Sequence, residues 1–167
     1  MSMDLVTTVI KKELKKESHN KIIFLCIGTN SIIGDSVGPK IGSILKEKLK
    51  NNKTIVLGTT SNEINYITIN KSLENIIRKF ENPFVITIDS ALANSEFIGR
   101  IIVNKEHLHL GKALKKEKYI LGDINIKAII GEDFNNTIKN NEILTKVPED
   151  FINKIVTKLA YQILKAF

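Results

Sequence analysis

The sequence predicts an α/β fold, a sandwich of helices on a mostly parallel sheet. Continuous apolar runs at residues 22–27 and 84–88 are bounded by turn-forming residues, as expected of strands buried on both faces of a parallel sheet. Segments with apolar residues at helical spacing alternate with these runs. Such an alternation of strands and helices is typical of a parallel α/β sheet.

Five elements are predicted in the first half of the chain. Apolar residues at helical spacing indicate helices, and Pro39 suits a first helical position because its missing N–H costs nothing there. Residues 59–70 fit no pattern. The predicted elements are a helix over 3–16, a strand over 22–27 that ends at Gly28, a helix over 39–50, a strand over 54–57 and a helix over 72–80.

The second half contains three further strands and one helix. Pro148 opens the C-terminal helix. Residues 104–121 form a long lysine-rich connection, and asparagines make residues 131–147 irregular. The predicted elements are strands over 84–88, 99–103 and 123–130 and a helix over 148–165.

Length and composition predict one cytoplasmic domain over residues 1–167. A chain of this size buries roughly 70% of the surface that its unfolded form exposes, so it needs no disulfide bonds or metal ions to hold its core together. Its single cysteine excludes an intramolecular disulfide framework and suits a reducing compartment. No apolar run approaches the roughly 20 residues of a membrane span. The first 20 residues lack the apolar run of a signal peptide.

The net charge of +7 does not indicate a nucleic-acid partner. The chain has 29 Ile, 23 Lys and 17 Asn, three residues with A/T-rich codons, so a biased genome explains the charge. Arginine, which nucleic-acid sites favour for bidentate contacts, occurs only twice. The lysine clusters 11–12, 15–16 and 115–116 are interpreted as solvated faces.

The loop after the first strand does not fit a phosphate cradle. Five residues separate Gly28 from Gly34, and Asp35 stands where a P-loop needs lysine. Ligands of parallel sheets bind beyond the carboxyl ends of strands, which directs attention to Asp35 and to Asp89, at the predicted end of the strand 84–88. If their strands are neighbours, the two carboxylates converge. They could then share a proton as acid and base, hold a divalent ion, or serve as a helix-start residue and a turn residue.

Three segments resemble blocks of the YyaC sporulation-protein family. FLCIGTNSIIGDSVGP at 24–39 is similar to the family's strand followed by G-T-D-R-S-x-G-D-x-x-G-P. IDSALA at 88–93 is similar to I-D-A-C-L-G, and LGDINIKA at 121–128 to V-G-D-I-x-I-x-G. Order and spacing hold from about residue 22 to 131, between the N-terminal helix (1–20) and the C-terminal helix (148–166). That family is related to the germination protease of spore-forming bacteria and, more distantly, to hydrogenase maturation endopeptidases.

This resemblance implies a three-layer α/β/α fold of the phosphorylase/hydrolase type with a peptidase-like pocket at the strand ends. Two aspartates of the germination protease are its catalytic candidates, and the matching positions are Asp35 and Asp89. The hydrogenase enzymes sense nickel with acidic residues and a histidine, but no motif anchors that third ligand here, so no metal site is assigned and a divalent metal is left open. The predicted substrate-binding residues are Gly28, Thr29, Asn30, Gly34 and Ser90.

Several positions depart from the family pattern. Asn30 replaces the usual Asp and Ser31 the usual Arg, which removes a potential oxyanion or carboxylate clamp. Ser90, Ala91 and Ala93 replace the A-C-G of the second block. These departures favour an altered substrate or a loss of activity.

Four other residues are assigned structural roles. His107 and His109 are interpreted as polar residues of an exposed connection, because no Cys or third His completes a metal site. Asp123 is interpreted as a turn residue at the start of a strand. Cys26 lies within an apolar strand and is predicted to be an inert buried thiol.

The predicted function is a sporulation-associated, aspartate-dependent peptidase or a descendant of one. Its expected partner is a peptide or protein substrate, with small acid-soluble spore proteins as the candidate class. No membrane partner is expected, and a homo-oligomer is left open. The alternatives are a non-catalytic binding or regulatory protein on the same scaffold and a metal-sensing protein.

Overall fold

A computed structural model describes most of the chain. The described residues are 5–16, 19–65, 67–69, 71–72, 75, 79–80, 83–105, 108–110 and 119–167. The helices are α1 (Leu5–Lys16), α2 (Val37–Lys48), α3 (Thr137–Lys146) and α4 (Glu149–Leu164). The strands are β1 (Ile22–Cys26), β2 (Thr54–Leu57), β3 (Phe84–Ala93), β4 (Ile101–Asn104), β5 (Leu108–Leu110), β6 (Tyr119–Leu121) and β7 (Ile124–Glu132).

Five of these strands form one mostly parallel sheet in the order β2-β1-β3-β7-β4. All neighbours are parallel except β4, which runs antiparallel to β7. The strands β5 and β6 form a separate antiparallel pair. Every residue of β1 is buried, as its continuous apolar sequence requires between two neighbouring strands. The predicted α/β fold with a mostly parallel sheet is confirmed.

Apolar residues cover both faces of the sheet. Alternate residues of β1 point to opposite faces, so Phe24 and Cys26 join the core under α1, α2 and α4, whereas Leu25 joins a second cluster. Ile64 and Ile69 belong to that second cluster. The central strands of the sheet are therefore buried between two apolar clusters, and loops follow at their carboxyl ends.

The helix α2 lies unusually close to the end of β1. A Cβ atom at Gly38 would lie 2.1 Å from the carbonyl oxygen of Ile27, closer than any real contact. Glycine at this position therefore lets the amino end of α2 approach the carboxyl end of β1.

The element boundaries differ from the sequence prediction in two informative places. The helix α2 begins at Val37, so the prediction that Pro39 opens it was wrong by two residues. Proline is tolerated there because the amide groups of a first helical turn have no intrahelical partner. The strand β3 continues to Ala93, so Asp89 lies inside the strand and is not a turn residue. Pairing with the long strand β7, through Glu132, extends β3.

The helix α3 replaces the irregular structure predicted over 131–147. It contains no fully buried residue, so no apolar stripe marks it in the sequence. Its amino end is capped by the Asn136 side chain, which accepts a hydrogen bond from the Lys139 amide at 3.1 Å. The asparagines of this segment predicted irregular structure, but Asn136 acts as a helix cap.

Other predictions fall at the limits of the described residues. The predicted helix over 72–80 lies largely outside them, as do His107 and the lysines 115–116. Within α1 the four lysines Lys11, Lys12, Lys15 and Lys16 are exposed, as expected of a solvated face. None of the helices in the described part of the chain combines the length and apolar character needed to cross a membrane.

Candidate active site

The carboxyl end of β1, at one edge of the sheet, lies beside Ile88 and Asp89 of β3, which continues to Ala93. Cys26, the last residue of β1, is in register with Ile88. The amide of the next residue, Ile27, donates a hydrogen bond to the Ile88 carbonyl at 2.8 Å. Asp89 therefore lies level with the point where β1 gives way to its loop. Parallel sheets bind ligands at such edges.

A short 3₁₀ helix, Ile33–Asp35, brings Asp35 back to this edge. The Thr29 amide donates a hydrogen bond to the Asp35 carbonyl oxygen at 3.0 Å. Gly28, with a φ of +140°, leaves room for that oxygen, because a Cβ there would lie 2.0 Å from it. The 3₁₀ helix also packs against β3 and α3. The two predicted catalytic residues thus both lie beside the Ile27–Gly28 end of β1.

The Asp35 side chain is half-buried, and its pKa is higher than that of an ordinary aspartate. Burial raises the pKa of Asp35 to about 6, and the nearby Glu63 carboxylate adds to the rise. A hydrogen bond from the Thr29 backbone acts in the opposite direction. Asp35 therefore keeps its proton in weakly acidic solution, where an exposed aspartate has lost it.

Glu63 is a site residue that sequence reasoning missed. Its Oε2 accepts a hydrogen bond from the Thr29 hydroxyl at 2.8 Å, and its Oε1 accepts one from the Asn30 amide at 2.6 Å. Its neighbour Ile64 fixes its place, since the Gly28 amide donates to the Ile64 carbonyl at 2.8 Å. Residues 59–70 carry no periodic pattern, so no signal in the sequence placed Glu63 beside the loop.

Asp89 is almost fully buried, with 7% of its surface exposed. The Ser90 amide donates a hydrogen bond to its Oδ1 at 2.8 Å. Lys127 of β7 is in register with Asp89 and half-buried. Because residues in register on neighbouring strands share a face about 4.8 Å apart, a lysine and an aspartate stand side by side on this face.

The predicted substrate-binding residues lie in the loop after β1 and next to Asp89 on β3. Asn30 is exposed, and its side chain donates to the Thr60 carbonyl at 3.1 Å. Gly34 is buried against α3, where a Cβ would lie 2.8 Å from the Leu144 carbonyl oxygen. Ser90 follows Asp89 along the strand, so the two side chains leave on opposite faces and only the Ser90 backbone reaches Asp89. A role for these residues and for Thr29 and Gly28 in substrate binding stays a prediction.

Asp123 lies outside this site. Its amide donates to the Val85 carbonyl and its carboxylate accepts from the Val85 amide, both at 2.7 Å. Since β7 runs parallel to β3, Asp123 at its amino end is at the opposite edge of the sheet. This agrees with the structural role predicted for it.

The remaining candidates of the sequence do not extend the site. Cys26 is fully buried, and burial raises the pKa of its thiol, which agrees with an inert role. His109 lies on β5 in register with Ile120. Among the described residues, no group of three or more His, Cys, Asp and Glu side chains could hold a metal ion.

The fold resembles that of a solved protease. The chain superposes on a [NiFe] hydrogenase maturation protease, HycI, from Thermococcus kodakarensis KOD1 with a TM-score of 0.64. The match covers 95% of this chain and 97% of that chain at 19% sequence identity. The predicted structural relation to hydrogenase maturation enzymes is confirmed at the level of the fold.

Sequence comparison identifies a relative and a family. The chain is 29% identical over 125 residues to the uncharacterized protein YyaC of Bacillus subtilis (strain 168). That match covers 75% of this chain and spans 60% of the length of YyaC. Residues 1–164 match the family described as "Protein of unknown function (DUF1256)". The predicted resemblance to YyaC is confirmed, and the relation to the germination protease stays a prediction.

Proposed function

This chain belongs to the DUF1256 family, and we propose that it is an aspartate-dependent peptidase with Asp35 and Asp89 as its catalytic groups. The proposal rests on one observation, that the backbones of both residues lie beside Ile27 and Gly28, where β1 ends. The similarity in fold to a maturation protease supports the same class of reaction.

The two carboxyl groups are suited to different halves of peptide hydrolysis. Asp89, as a carboxylate, takes a proton from a water molecule whose oxygen attacks the peptide carbonyl carbon. Asp35 donates its proton to the leaving amine as the C–N bond breaks. A pKa of about 6 for Asp35 suits a general acid, because the group still carries a proton near the pH at which it must release one.

The proposed substrates are peptide segments of small acid-soluble spore proteins in the cytoplasm of a sporulating bacterium. The resemblance of the glycine loop to a sporulation family motivates this assignment. The loop that carries Asp35 also presents two exposed polar residues, Asn30 and Ser31. Such residues can hydrogen-bond the backbone of an extended peptide.

Cleavage of a purified small acid-soluble spore protein, followed by mass spectrometry, tests the proposal. We expect Asp35→Asn and Asp89→Asn each to lose about 10²–10⁴-fold in rate, the usual contribution of general acid–base catalysis. Asp123→Asn, at the opposite edge of the sheet, is the matched control and should keep wild-type turnover. Equal turnover in all four proteins would contradict the assignment of the two aspartates.

A non-catalytic binding protein is the second candidate. It is favoured by Asn30, whose amide stands in place of the family's carboxylate and is engaged with the Thr60 carbonyl. In that case calorimetry would detect binding of spore-protein peptides by the wild type, and mass spectrometry would detect no cleavage in the same samples.

A further inference from the structure

We infer that Glu63 is a positioning residue of this site, which fixes the Thr29–Asn30 segment and sets a second carboxylate near Asp35. The inference rests on the proposed function only for the use made of the Asp35 proton. Glu63 does not contact the reacting atoms in this account. It acts through Asp35 and the loop.

The contacts of Glu63 are the first basis of this inference. Both oxygens of its carboxylate accept hydrogen bonds from consecutive loop residues, one from the Thr29 hydroxyl and one from the Asn30 amide. Thr29 in turn donates its own amide to the Asp35 carbonyl. Thr29 therefore links Glu63 to Asp35. A charged acceptor makes stronger bonds of this kind than a neutral one.

The charges around Asp35 are the second basis. Glu63 is half-buried, where water screens a neighbouring charge less than at an exposed position. Asp89 of β3 lies at the same edge, with Lys127 of β7 in register beside it. The charged residues of α3 and α4, the two helices that pack against the 3₁₀ helix, are exposed. They are Lys139, Glu142, Lys146, Glu149, Asp150, Lys154 and Lys158, with Lys165 just beyond α4. Lys40 of α2 is half-buried and bound to Glu149 and Asn153.

Glu63 therefore supplies a close negative charge that no cation of the loop neutralises in the described part of the chain. Ionisation of Asp35 would bring a second negative charge into the same half-buried space, and like charges disfavour that step.

A titration of Asp35 by nuclear magnetic resonance tests the inference without a substrate. The aspartate carboxyl carbons are labelled with ¹³C, and the Asp35 signal is identified by its loss in Asp35→Asn. The midpoint is then measured in wild type, Glu63→Gln, Glu63→Asp and Glu47→Gln. Glu47 is the matched control, because it is exposed and lies in the last turn of α2, far from Asp35.

We expect the midpoint to fall in Glu63→Gln but to stay above the ordinary aspartate value, because burial is the larger cause of the rise. It should stay with the wild type in Glu63→Asp and Glu47→Gln. A midpoint that is unchanged in Glu63→Gln, or equally lowered in Glu63→Asp, would overturn the inference. Hydrogen exchange of the Asn30 amide in the wild type is a second readout that needs no variant. An Asn30 amide without protection against exchange would also overturn the inference, because Glu63 accepts its hydrogen bond. The two experiments are independent. An unchanged Asp35 titration would not contradict the peptidase proposal, and absence of cleavage would not contradict the role of Glu63 in the titration.

Discussion

The backbone carbonyl oxygen of Asp35 occupies the space beside Gly28 that any side chain would need. A Cβ at Gly28 would lie 2.0 Å from this oxygen, and the φ of +140° at Gly28 is itself accessible almost only to glycine. The contact is what returns Asp35 to the end of β1. Glycine at the end of β1 is thus a requirement of the site.

Gly28→Ala should destabilise the protein by about 3 kcal/mol or more, because backbone strain and steric overlap add. Gly99→Ala is the matched control. It has a positive φ of +82° but open space, with its nearest neighbour, Phe151, 3.7 Å from the added Cβ, so about 1–2 kcal/mol is expected. Urea unfolding measures both. Equal losses would show that the contact with Asp35 does not constrain position 28.

Asp35→Asn should stabilise the protein above pH 6 and have no such effect below pH 4. Because burial raises the pKa of Asp35 to about 6, the folded state binds its proton more tightly than the unfolded state. Stability from this group is present at low pH and is lost as the pH rises through 6, whereas neutral asparagine avoids that loss. Thermal unfolding at pH 4 and pH 8 gives the comparison.

Asp133→Asn is the control of opposite sign for that experiment. Hydrogen bonds from the Asn140 side chain and the Asn135 amide lower the pKa of Asp133. Its contribution is therefore present at neutral pH and is lost as the pH falls, so its replacement should lower the melting temperature at pH 8. An Asp35→Asn protein less stable than the wild type at pH 8 would contradict the buried, proton-retaining state of Asp35.

Thr87→Val should cost about 1–3 kcal/mol. The buried Thr87 hydroxyl donates to the Asn125 side-chain oxygen at 2.6 Å, on the face of the sheet that carries Asp89. Thr54→Val is the control, because the Thr54 hydroxyl is buried without a partner among the described residues, and its loss should be neutral or stabilising. Urea midpoints that fall equally in both variants would refute a role for this hydrogen bond.

The sequence was sufficient for the parts of the fold with strong local signals. The continuous apolar residues of β1 predicted a buried strand. The apolar stripe of α4 predicted a helix opened by Pro148, and the helix begins one residue later, at Glu149. The helix α3 was missed because its packing buries no residue completely and leaves no apolar stripe. The extension of β3 beyond Asp89 was missed because it depends on pairing with β7, a contact distant in sequence.

The site was predictable only in part for the same reason. Asp35 and Asp89 stand out because each follows or ends a buried apolar run, and parallel topology brings such positions to one edge. That β1 and β3 are neighbours could not be read from their separate patterns. Glu63 comes from a segment without periodicity, and only the pairing of Ile27 with Ile64 brings it to the loop.

Rates of spore-protein cleavage by the wild type, Asp35→Asn, Asp89→Asn and the double variant test most directly whether the two aspartates act as one site. Groups that act as a unit are strongly non-additive. We therefore expect the double variant to be no slower than the slower single variant, within about threefold. A double variant whose loss equals the product of the two single losses, or single variants that cleave as fast as the wild type, would contradict a shared site.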